Sequence, residues 1–133
     1  MTVGIAPTNG SGPGLQDGGW LLGVAAGNNR AYKNGIVAHA GGTKAAAFQL
    51  PAGVQIMQVD TTATNGDSVL MPAAVQGQIV MVFNNGAATL DIYGRGTDTI
   101  NGAATANAHT LATLTAAVFF CGKNGAWAGV GIT

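Results

Sequence analysis

The stretch from Gly77 to Trp127, GQIVMVFNNGAATLDIYGRGTDTINGAATANAHTLATLTAAVFFCGKNGAW, constrains the fold more than any other part of the chain. Two apolar runs flank Asn85-Gly86, two more flank Asn124-Gly125, and Asn101-Gly102 lies between the pairs. Asn-Gly favours a turn with positive φ at both central residues, because glycine has no Cβ to clash and asparagine tolerates the left-handed region. Such a turn twists in the same sense as the strands it joins. The pattern therefore predicts short antiparallel strands closed by hairpins.

Within this stretch the run Ile79 to Phe83, IVMVF, is apolar throughout, as in a strand buried on both faces, and it is expected at the centre of the fold. Thr89 to Tyr93 alternates, with Leu90 and Ile92 facing one way and Thr89, Asp91 and Tyr93 the other. Residues 117–121 and 126–133 form a last hairpin whose tip is Lys123-Asn124-Gly125. Upstream, 44–50 (KAAAFQL) reads as a modest strand ended by Pro51, and 68–71 as a short strand closed by Pro72, since proline lacks the N–H that a ladder needs. In 54–61 (VQIMQVDT), Val54, Ile56 and Val59 oppose Gln55, Gln58 and Asp60, with an irregularity at Met57-Gln58 that suggests a bulge. Short strands separated by frequent turn signals describe a sandwich, jelly roll or small barrel. Asn-Gly pairs begin at 9, 34, 65, 85, 101 and 124, an irregular spacing that argues against a solenoid. The expected fold is all-β: a compact antiparallel β-sandwich or jelly-roll-like domain over 44–133, preceded by an extended Gly-rich arm over 1–43.

The arm is punctuated throughout by Gly, Asn and Pro, yet it carries two apolar knots: Trp20, Leu21 and Leu22 with Val24, and Ile36 with Val37. A flexible tether has no need of such side chains. They either fold back on the chain's own core or dock on a neighbouring subunit. Trp20, Leu21, Leu22, Val24, Ile36 and Val37 are accordingly the candidate partner-interface residues.

Charge separates the functional classes. Charged residues make up 8% of the chain, with five acidic and five basic groups and no glutamate, against about 25% in ordinary soluble domains. So little charge leaves a free monomer poorly protected against self-association, which favours a surface covered by copies of itself or by a larger assembly. Net neutrality leaves no electrostatic footprint for nucleic acid. No run of 18 apolar residues is present, so no helical membrane span is expected, and the opening residues lack the basic and apolar regions of a secretory signal. A single cysteine excludes an internal disulfide.

No catalytic, cofactor or metal signature emerges. Cys121 follows Phe119-Phe120, and alternation places it beside Phe119 as a small core residue; a nucleophile would need a base and electropositive surroundings. His39 and His109 lack ligand spacing. Asp17, Asp60, Asp67, Asp91 and Asp98 are scattered and form no calcium loop. Gly94-Arg95-Gly96 is too short for a phosphate loop. Trp20, Tyr32, Tyr93 and Trp127 could stack on sugars, although Trp127 beside a turn reads first as a core cover.

From Leu70 to Trp127 the chain resembles a module common in virion structural proteins of tailed bacteriophages. The resemblance rests on Leu70-Met71-Pro72-Ala73, the apolar strand ending in Asn84-Asn85-Gly86-Ala87, Leu90-Asp91-Ile92-Tyr93, Asp98-Thr99-Ile100-Asn101-Gly102, Phe119-Phe120-Cys121 and Gly125-Ala126-Trp127. Leu15-Gln16-Asp17-Gly18-Gly19-Trp20 is similar, less specifically, to the start of such proteins. The resemblance implies a non-enzymatic β-module, often trimeric, made in the host cytoplasm and carried on the virion. A capsid decoration (cement) protein that binds the major capsid protein is the expectation. The alternative is a short head- or tail-fibre component that binds a receptor or glycan, with Tyr93 and Trp127 as its candidates.

Overall fold

The computed structural model describes residues 7–8, 10–11 and 31–132. By internal contacts the chain divides into Met1–Arg30 and Ala31–Thr133. In the first unit, β1 (Pro7–Thr8) pairs in parallel with β2 (Gly10–Ser11). The second unit holds β3 (Tyr32–Val37), β4 (Phe48–Gln49), β5 (Ile56–Thr61), β6 (Asp67–Leu70), β7 (Ile79–Asn84), β8 (Leu90–Tyr93), β9 (Thr99–Ile100), β10 (His109–Leu111), β11 (Thr115–Lys123) and β12 (Ala126–Ile132).

The chain is all-β, but its stacking is solenoid-like. From β3 to β8 successive strands alternate between two sheets. β3, β5 and β7 pair in parallel in one sheet, and β4, β6 and β8 pair in parallel in the other. Each circuit takes roughly two dozen residues, with Tyr32 opposite Ile56 and Ile56 opposite Met81. Apart from a single bridge between His39 and Ser68, antiparallel pairing begins only after these three rungs. β11 runs antiparallel to β7, β12 to β11, and β10 to β8, while β9 joins the far edge in parallel with β12. The sheet orders are β9-β12-β11-β7-β5-β3 and β10-β8-β6-β4.

The expectation of a wholly antiparallel domain is thus corrected, and with it the argument against a solenoid. The cause lies in Asn85-Gly86. β7 and β8 belong to different sheets, so this pair turns a corner and closes no hairpin. Gly86 is needed there for close approach: a Cβ would collide with the side chain and backbone of Thr62 on the preceding rung. Asn101-Gly102 does have positive φ at both residues, 53° and 72°, yet it leads from β9 to a segment that pairs elsewhere. Asn124-Gly125 is the pair that closes an antiparallel hairpin, between β11 and β12.

The arm boundary is also corrected. Residues 31–43 belong to the compact unit, because β3 is its first rung and Ile36 sits in the core. The strand expected over 44–50 is reduced to β4. Lys44–Ala46 instead forms a 3-10 turn, and Lys44 Nζ is held by the Gly96 and Thr105 carbonyls, each at 2.7 Å.

Between the sheets lies one core. Ile36, Met57, Val59, Val80, Val82, Ala117, Phe119, Cys121 and Trp127 come from the larger sheet, and Val69, Leu90, Ile92 and Leu111 from the smaller. Met57 and Val59 point inward and Ile56 outward, in unbroken register with β7, so the bulge expected at Met57-Gln58 is absent. The irregularities fall in the pairing of β3 with β5: between Lys33 and Ile36, where Gly35 takes φ 69°, and between Ile36 and Val37, whose partners are Val59 and Thr61. Across β11 and β12, Phe119 lies over Gly129. A Cβ there would sit 2.6 Å from the ring, so glycine makes room for the aromatic side chain.

Two polar residues fasten the corners. Buried Asn84 ends β7. Its amide nitrogen donates to the carbonyls of Ala88, Leu111 and Ala112, and its oxygen accepts from Thr62 Oγ1 and the Gly86 N–H. Buried Asp67 starts β6 and accepts from the Ala63, Thr64 and Gly41 N–H groups and from Thr64 Oγ1. Each joins neighbouring segments, and each satisfies backbone groups that would cost about 1–3 kcal/mol apiece if buried unpaired.

Candidate functional site

Trp20, Leu21, Leu22 and Val24 lie outside the described residues. Ile36 and Val37 are separated by the strand: Ile36 is core, whereas Val37 is exposed on β3 beside Thr61. Ile36 is therefore no docking residue within this unit; the alternation of β3 points it into the core.

The aromatic candidates for stacking are also redirected. Tyr93 is buried and its hydroxyl donates to the Gly42 carbonyl at 2.7 Å; burial, and then the nearby Asp91 carboxylate, raises its pKa. Trp127 is buried in the core, and its indole N–H meets no acceptor among the described residues. Neither ring offers a face to a sugar. Of the residues read as possible chemistry, Cys121 is buried with its thiol against the Lys123 carbonyl at 3.1 Å. His109 packs edge-on to Phe119, with ring centroids 5.4 Å apart, and burial lowers its pKa. Among the described residues no three of His, Cys, Asp or Glu come together as metal ligands. A cleft of about 200 Å³ between Gly53–Gln55, Pro72 and Gly77–Val80 is lined by no titratable side chain.

The sequence reading missed the surface that stands out. The outer face of the six-stranded sheet carries apolar side chains in register. One row crosses five strands: Tyr32, Ile56, Met81, Val118 and Val130. A second places Ile79 beside Phe120 and Ala128. Exposure is 71% at Tyr32, 60% at Val130, 49% at Ile79, 44% at Phe120, 40% at Ile56 and 37% at Met81. The rows contain no charged residue. One end of the face is polar. There Asp60 accepts from the Gly35 N–H at 2.6 Å, Gln58 Nε2 at 2.6 Å and Asn85 Nδ2 at 2.9 Å. The Asn85 bond, followed by those of Gln58 and Gly35, holds this carboxyl below its usual range.

A signal for this surface was present. IVMVF was read as buried on both faces, but its burial alternates: Val80 and Val82 are core, while Ile79 and Met81 face outward and are exposed. Comparison with family models, curated protein sequences and solved structures finds no match to this chain.

Proposed function

We propose that this chain is a non-enzymatic virion structural protein of a tailed bacteriophage, most specifically a capsid decoration protein that binds the major capsid protein as a homotrimer. The supporting observation is the uncovered apolar face on a body whose polar side chains are largely engaged internally. Asp60, Asp67, Asp91 and Asp98 each accept hydrogen bonds from within the fold. Such a body is suited to packing and lacks an assembled reactive group. The resemblance from Leu70 to Trp127 supplies the virion context.

On this reading the two facing sheets serve as the sandwich-like body, and Trp20, Leu21, Leu22, Val24 and Val37 remain candidates for contact with capsid subunits. Binding to the assembled shell stabilises it by mass action, since a ligand of one state favours that state. A ring of copies at a symmetry axis satisfies the closure that an assembly requires. The fibre alternative loses Tyr93 and Trp127 as stacking candidates, because both are buried, while Tyr32 is exposed.

Mass spectrometry of purified particles, followed by heating particles with and without this protein, tests the proposal. The expected result is a stoichiometric head component whose loss lowers the temperature of shell rupture. Equal heat resistance of the two particles would refute the stabilising role.

A further inference from the structure

We propose that the outer face of the six-stranded sheet is the surface through which copies of this chain pack together, with the Tyr32–Ile56–Met81–Val118–Val130 row and the Ile79–Phe120–Ala128 row at its centre. The proposal rests on the self-association part of the reading above and is independent of its virion part.

Area is the first argument. With strands about 4.8 Å apart and outward side chains repeating every ~6.8 Å, the five-strand row spans roughly 20 Å and the three-strand row beside it roughly 10 Å, on the order of 200 Å² together. A standard interface takes about 800 Å² per partner, as an apolar centre within a polar rim. The rows supply the centre, and Gln58 and Asn85 supply polar groups at the rim.

Charge identifies the occupant. The rows carry none, and the one carboxylate at their polar end, Asp60, is already held by three hydrogen bonds. A second copy, also with no formal net charge, meets this face without repulsion. Among the described residues Lys33 follows Tyr32 and Lys123 lies three positions after Phe120, too little basic charge to favour an anionic lipid surface. The sequence of β7 agrees, since its apolar residues are those of a strand covered on both sides. One side is covered within the chain; a copy covers the other.

The test is sedimentation velocity on the full chain at micromolar concentration. The expected mass is a multiple of 13.1 kDa, three times that value if the trimer reading holds. Met81→Lys, on the outer face, should raise the dissociation constant roughly a hundredfold or more, because it would bury an unpaired charge. Circular dichroism of the variant should remain unchanged.

A second measurement does not depend on destabilising anything. Val130→Cys should cross-link copies with a short bis-maleimide, while Leu114→Cys, exposed but off the rows, should not. A wild-type chain that stays monomeric, equal cross-linking by both cysteines, or binding to lipid vesicles without self-association would each overturn the proposal. None of these results touches the virion reading, which stands or falls on the particle experiments.

Discussion

The two larger sheets, both in the Ala31–Thr133 unit, present contrasting outer faces. On the smaller sheet the outer face carries Ser68, Leu70, Asp91, Tyr93 and Thr110, and the chain itself covers part of it. His39 lies alongside β6, exchanging backbone hydrogen bonds with Ser68 at 3.0 and 2.8 Å, and just beyond it Ser68 Oγ donates to the Gly41 carbonyl and the Tyr93 hydroxyl to that of Gly42. Ser68 is fully buried as a result. Farther along, Thr110 Oγ1 donates to Asp91 at 2.7 Å. On the larger sheet the outer face is apolar, and the described residues leave it bare. Polar groups thus receive partners from the same chain, which a single copy can provide. Apolar side chains need only area, which another copy can provide equally well.

Three substitutions graded by effect would break or sharpen this contrast. The largest concerns the layer both faces share. Phe119→Ala should cost about 3–5 kcal/mol in chemical denaturation, since it empties a buried ring site against Gly129 and His109. A change below ~1 kcal/mol would mean the core collapses around the gap.

Next is a corner of the smaller sheet. Asp67→Ala should cost about 3 kcal/mol, by leaving the Ala63, Thr64 and Gly41 N–H groups without their acceptor. Burial pushes the Asp67 carboxyl up, but bonds from Thr64, Ala63 and Gly41 outweigh it and hold the pKa below its ordinary value of 3.8. A depressed carboxyl contributes stability that is fully present above the unfolded pKa and is lost as pH falls through the folded one. Wild-type stability should therefore drop as pH is lowered below about 4. The variant, already weakened, should show a shallower acid loss in the same titration.

The smallest effect on the fold belongs to the bare side. Met81→Thr should change the stability of the isolated protomer by no more than about 0.5 kcal/mol, as for a surface position. A cost as large as that of Phe119→Ala in protomers kept apart by dilution would show that the face is covered within the chain after all.

Parts of this architecture were legible because their physics is local. The alternation through Phe119, Phe120 and Cys121 gives their sides correctly, with the first and third buried and the second exposed. The β11–β12 hairpin follows from Asn124-Gly125, where Gly125 takes φ 83°. The rungs were hidden because what repeats is a position in space and not a residue. Ile36, Val59 and Asn84 are partners in register, yet two are aliphatic and the third is an amide. Corners of unequal length blur the period further. Asn85-Gly86 misled for a related reason: the glycine is required by its neighbour Thr62 rather than by its own φ. The candidate surface was half legible. IVMVF announced two apolar sides, and only the structure distinguishes the side filled by the chain from the side left open.

The pairing of β11 against β7 has a consequence for how such a molecule changes size. β3, β5 and β7 present the same parallel edge, so a further circuit of about two dozen residues could be spliced in after any of them without altering the pairing below. Growth stops where β11 reverses against β7 and where β9 already occupies the far edge of β12. The closing hairpin therefore acts as a terminator. The height of the molecule is a count of turns, and lengthening it by whole turns would extend the outward apolar rows in step.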